Sequence, residues 1–219
     1  MKLQIKWLVF IFLIFVLDIN AQSIDEYFIN IPDVYFESLS KFNEKPFTKK
    51  TRKQIVEMDA ASGFIDFQIE RKNGYISFIT NGDGENRGVE LAIWNVGKDK
   101  LMVLCINVNA NCTDYTKDVF VFKIRNLELI DISANILPNI RLDDFGYSKL
   151  LNKDIIKILN DQNIKWNWEL PRIGKKIRII APSYDCGNDF LPLAEQHFEI
   201  IPQSIHDKFK VKIINHDEN

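Results

Sequence analysis

Residues 101–108 read "LMVLCINV". Side chains alternate between the two faces of a strand, and here both parities are apolar: Leu101, Val103 and Cys105 on one, Met102, Leu104, Ile106 and Val108 on the other. Such a run predicts a central strand covered on both faces. Its neighbours fit that position. "VELAIWNV" (89–96) precedes it and "VFVFKIRN" (119–126) follows, with "GKDK" and "NCTDYTKD" as turns between them. Upstream, "GFIDFQIERKNGYISFIT" (63–80) reads as a hairpin in which Ile65, Phe67 and Ile69 alternate with Asp66, Gln68 and Glu70. Asn73-Gly74 supplies the positive φ angles of a two-residue type I′ turn. Residues 64 to 132 are therefore predicted as an antiparallel meander of five or six strands.

Ahead of the meander the period is helical. Pro32-Asp33 offers a turn and an N-cap for a short helix over Val34 to Leu39. Thr48 caps a second helix over 49 to 57. After "ILPNI" the pattern repeats. "RLDDFGYSKLL" and "NKDIIKILNDQ" read as helices with Asp143 or Asp144 and Asn152 as caps, and "IKWNWEL", "KIRIIAP", "HFEIIP" and "FKVKII" read as strands. Proline ends three of these four runs, which suits strand termini, edges or bulges. The fold class is α+β, mostly antiparallel meanders with short helices. A helix pair and a sheet, twice over, describe a tandem repeat, an order that resembles tandem helix-plus-sheet inhibitor proteins. A single sheet with helices on one face is the other reading. The expected divisions are 1–21, 22–140 and 141–219, the last two separate or continuous.

The segments "NGYISF", "GDGE" and "ELAIWNV", a cysteine-bearing run and a run ending "ILP" are similar to an uncharacterised secreted protein family of Bacteroidota-type bacteria. The similarity covers residues 28 to 140. No activity attaches to that family, so the resemblance implies export and assigns no functional residue.

The amino terminus carries the same implication by itself. "MKLQIKWLVFIFLIFVLDINAQ" has Lys2 and Lys6, the apolar run Trp7 to Leu17, and a polar stretch ending in Ala21, the pattern of a cleaved signal peptide. Its eleven apolar residues fall short of the about twenty that a membrane-spanning helix needs. The first cysteine is Cys105, so no lipid-anchor cysteine stands at the cleavage point. The expectation is a periplasmic or secreted chain beginning near Gln22, with no membrane span after cleavage. Net charge is −2, or near −3 without the leader. That balance argues against nucleic acid, where affinity comes from Lys and Arg displacing counterions. The densest basic run, "KKTRK" at 49–53, reads as the solvated face of a helix.

Candidate chemistry is sparse. In "NGDGENRG" the oxygens of Asn81, Asp83, Glu85 and Asn86 lie among Gly82, Gly84 and Gly88. Calcium takes six to eight oxygens from carboxylates at alternating loop positions, and two carboxylates within six residues do not supply them. The stretch reads as a glycine-rich hairpin loop and a contact surface, with no metal expected. Trp166 and Trp168 are two apart, hence on one strand face. Buried, they are core beneath the second helix pair, the reading their residue type favours. Exposed, they form a stacking platform for a sugar or an apolar partner. Trp94 reads as core. Cys105 and Cys112 enclose a short turn whose closure contributes roughly 2 kcal/mol; pairing of either with Cys186 is the rival. Asp143-Asp144 point apart and fit a cap better than an acid–base pair. Cys186 in "SYDCGND" is a nucleophile only beside a base, and His197, His206 and His216 all lie near the carboxyl terminus. Asn111-Cys112-Thr113 matches a glycosylation sequon, a chance match in a chain of the bacterial kind that the resemblance implies. GxSxG, HExxH, P-loop and dinucleotide motifs are missing, and no cofactor is expected. The first hypothesis is thus a non-enzymatic exported module binding a protein or glycan of the cell envelope. A secreted hydrolase with dispersed carboxylates and a calcium-stabilised surface protein are the alternatives.

Overall fold

The structure, a computed structural model, describes residues 23–41, 46–58, 66–82, 85–110, 114–126, 128–141, 144, 167–180 and 196–215. The predicted central strand lies within β4 (Asp99–Ala110) of a six-stranded antiparallel sheet. The other members are β1 (Asp66–Glu70), β2 (Tyr75–Gly82), β3 (Glu85–Val96), β5 (Asp114–Arg125) and β6 (Glu128–Asp131). Spatial order is sequence order, β1-β2-β3-β4-β5-β6. The meander is thus the six-stranded form of the expectation.

Its hairpins differ from the expected ones. Glu70 pairs with Tyr75, so four residues join β1 to β2 rather than two. Within the connection the Asn73 amide donates to the Glu70 carbonyl (3.0 Å), and Gly74 alone takes positive φ (66°), as in four-residue loops built on a type I turn. A side chain at Gly74 would also come within 3.1 Å of the Ile93 carbonyl oxygen. Asp99-Lys100 of "GKDK" and residues 114–118 of "NCTDYTKD" are strand. Val96 pairs with Asp99, leaving Gly97-Lys98 as the turn, and Asp114 pairs with Ala110. Ladder hydrogen bonds belong to the backbone, so pairing continues past the apolar side chains that make a strand visible.

Both faces of β4 are covered, by different layers. Met102, Leu104, Ile106 and Val108 share a core with Ile76, Phe78, Leu91 and Phe122 and with the amino-terminal helices. Those are α1 (Ile24–Asn30), a 3-10 turn (Asp33–Phe36) running into α2 (Glu37–Lys41), and α3 (Lys49–Glu57). These elements and the residues flanking them contribute Phe28, Ile31, Phe36, Leu39, Phe47 and Ile55. Thr48 caps α3 as expected, accepting from the Thr51 amide (3.4 Å). The residue before the 3-10 turn is Pro32, with no side-chain cap bond. Asp33 instead meets Arg52 (2.8 Å). Helix α1 is an addition, begun by Ser23, which accepts from the Glu26 amide.

Arg52 corrects the reading of "KKTRK" as a wholly solvated face. Lys49, Lys50 and Lys53 are exposed, but Arg52 is only 1% exposed. Its guanidinium donates to the carbonyls of Phe47 (3.2 Å), Ile29 (3.2 Å) and Ile31 (2.5 Å) and lies 4.6 Å above the Phe36 ring. Burial pushes its pKa down and the Asp33 carboxylate raises it, yet an arginine stays charged at any ordinary pH. One cation thus closes the ends of α1 and the turn onto α3.

The second face, carrying Leu101, Val103 and Cys105, meets a four-stranded antiparallel sheet of order β10-β9-β8-β7. Its strands are β7 (Asn167–Glu169), β8 (Ile177–Ile180), β9 (Gln196–Ile200) and β10 (Val211–Asn215). Trp168, Ile177, Ile179, Phe198 and Ile200 pack against Tyr75, Ala92, Trp94, Val103 and Val121. A short α4 (Ser133–Ile136) leads out of β6, and its Ile136 carbonyl accepts from the Phe209 amide (2.9 Å). The architecture is α+β, a helical layer, a six-stranded sheet and a four-stranded sheet, rather than a single sheet. The helices expected at 141–162 lie outside the described residues except at Arg141 and Asp144, where the Asp144 carboxylate accepts the Arg141 amide (2.8 Å).

Replacing Arg52 by alanine strands three carbonyls and is expected to cost about 3–5 kcal/mol in urea unfolding. Asp33, 55% exposed, should cost about 1 kcal/mol or less as Asp33→Asn. Equal losses would refute the assignment of the clamp to the carbonyl bonds.

A candidate binding edge on the second sheet

Among the described residues, those singled out by sequence lie on several separate elements. Trp168 is 8% exposed and lies in the inter-sheet core with Ile179 and Phe198, so its indole is no surface platform; Trp166 lies outside the described residues. Trp94 is in the same core, as expected. Glu85 and Asn86 are ladder positions of β3, paired with Gly82 and Asn81. Only residues 83 and 84 separate the strands there, and Asp83 lies outside the described residues. Cys105 is buried on the inter-sheet face of β4, and Cys112 and Cys186 are outside the described residues. The buried His197 has its Nε2 3.9 Å from the Glu199 carboxylate, which sits nearer Lys176 Nζ (2.9 Å). Among the described residues no group of three His, Cys, Asp or Glu side chains could hold a metal, and no helix is long and apolar enough to cross a membrane.

The second sheet offers a different feature, visible in its cross-strand rows. On the core face, one row runs Trp168, Ile179, Phe198, Ile213 and another Ile177, Ile200, Val211. Each is sealed until it reaches β10. There Val211 is 38% and Ile213 52% exposed, so two β-branched side chains on the core face extend beyond the cover of the six-stranded sheet. On the opposite face a row runs Glu169, Arg178, Glu199, Lys212. Arg178 pairs with Glu169 (3.1 Å) and Lys176 with Glu199. Among the described residues β10 pairs only with β9, which leaves the backbone donors and acceptors on its far side as a pairing template. Beside it lies a shallow cavity of about 180 Å³ lined by Glu199, Ile201, Gln203, Lys210, Val211 and Lys212.

The sheet bearing this edge is pinned to the first at its rim. The Leu170 amide donates to Glu90 (3.0 Å), Trp94 Nε1 to the Gly174 carbonyl (2.8 Å), and Lys175 Nζ to the Asn95 carbonyl (2.6 Å). Arg172 Nε reaches Glu70 Oε1 (2.9 Å), whose other oxygen accepts from Asn73 (2.7 Å). Hydrogen bonds from Arg172 and Asn73 hold the Glu70 carboxyl below its usual pKa. The sequence marks "FKVKII" as a strand but not its edge position. Compared with protein-family models, curated proteins and solved structures, the chain matches none.

Because Glu70 has a lowered folded pKa, its contribution is present above the ordinary carboxylate value and is lost as pH falls through the lower folded value. Stability against urea should therefore drop less steeply on acidification below about pH 4.5 in Glu70→Gln than in the native chain. Parallel curves would exclude this tie as a source of acid sensitivity.

Proposed function

We propose that this chain is an exported, non-enzymatic binding module that holds an extended segment of a protein partner along β10. The observation that carries the reading is the exposure of Val211 and Ile213 at an edge, in rows whose other members are sealed. A strand added there gains main-chain hydrogen bonds and sets its alternate side chains on the two apolar positions, the mode known as β-augmentation. Completing the burial of each is worth about 1 kcal/mol, so the contact is small and transient rather than obligate. Burial of Trp168 removes the main support for a glycan ligand and leaves protein as the favoured partner. The leader-like run from Lys2 to Ala21 supports export and, with it, a partner at the cell envelope.

The test is capture from an envelope extract, with hydrogen exchange on the complex. A stoichiometric partner should be lost with Val211→Asp and with Ile213→Asp while both variants still unfold cooperatively, and amides 211–215 should gain protection. Retention by both variants, or no added protection at β10, would overturn the reading.

A further inference from the structure

We infer that the segment β10 accepts alternates carboxylates with apolar residues; this rests on the strand-addition reading. The argument comes from the charged row. From β7 to β10 its positions are Glu169, Arg178, Glu199 and Lys212, so the sign alternates at every step. Both carboxylates are engaged within the sheet, Glu169 by Arg178 and Glu199 by Lys176. The row therefore ends on a cation, and the next place in it belongs to the incoming strand. Lys210, two residues before Lys212, is exposed as well and lines the same cavity. Directly opposed side chains on paired strands lie about 4.5–5.5 Å apart, where opposite charges stabilise and like charges repel. On the other face the places beside Val211 and Ile213 continue rows of Ile200 and Phe198, which calls for apolar residues. The complementary sequence is apolar, acidic, apolar, acidic in register with 213, 212, 211 and 210.

The same lysines disfavour a second copy of this chain. Edge-to-edge pairing of two β10 strands brings Lys210 and Lys212 of each together, the arrangement by which lysine-bearing edges resist self-association. The edge is thus closed to itself and open to an acidic strand.

The probes are three fluorescein-labelled peptides containing VEVEV, VTVTV or VKVKV, titrated against the full chain by anisotropy. Each opposite-charge cross-strand pair contributes modestly, so VEVEV should bind about fivefold more tightly than VTVTV at low salt. The gap should close as salt screens the pairs, with VKVKV weakest. Lys212→Gln should shrink the preference and Lys210→Glu/Lys212→Glu should invert it. Equal binding of VEVEV and VTVTV, both lost in Ile213→Asp, would overturn the charge inference and leave the edge reading standing. Failure of every peptide, or binding indifferent to Ile213→Asp, would overturn both. A dimer dispersed by Ile213→Asp would assign the edge to a second copy and overturn the inference.

Discussion

Burial of β4 on both faces is the constraint to which the rest of the molecule responds. Six consecutive residues, Leu101 to Ile106, are withdrawn from water, and each large aliphatic side chain so placed contributes about 1.5–3 kcal/mol. Neither face can be left bare without forfeiting half of that. The flanking strands satisfy the backbone of β4, and the two covers satisfy its side chains.

The covers are fastened by different means. On the helical side the packing is aromatic, with Phe28, Phe36, Phe47 and Phe78 in edge, tilted or stacked contacts at 5.1–6.1 Å. Arg52 holds the short helices in register there. A buried cation is tolerable because carbonyl dipoles and Asp33 replace its water. On the sheet side the interior mixes aliphatic residues with Tyr75, Trp94, Trp168 and Phe198, and the polar ties sit at the perimeter, through Glu70, Glu90, Trp94 and Asn95. Perimeter ties leave the sheet free to extend past its support, which is how β10 comes to overhang.

What sequence reveals depends on whether the signal is local. The parity of "LMVLCINV" is local, and so is Thr48 before α3. Ser23 and Glu26 form a capping-box spacing, so α1 was readable, though its cap stands directly beside the leader-like run. "NGDGENRG" looks like loop because polar residues and glycines hide a ladder made by backbone atoms. Two tryptophans at even spacing declare a shared face without saying which face, and only the position of the second sheet decides it. Arg52 carries no mark among its basic neighbours. The edge status of β10 follows from strand order, a tertiary property that period cannot report.

The two cores also differ in where along the chain their parts reside. The helix-side core draws on residues 24 to 129, whereas the inter-sheet core needs residues as late as Phe209. A polypeptide emerging amino terminus first therefore completes one core before the other can close. Neighbour-to-neighbour pairing in β1–β6 keeps the early contacts short in sequence, which favours rapid formation. During the interval the apolar side chains of Tyr75, Ala92, Trp94, Leu101, Val103 and Val121 face solvent as one broad sheet surface. A chain held with that surface bare is prone to aggregate.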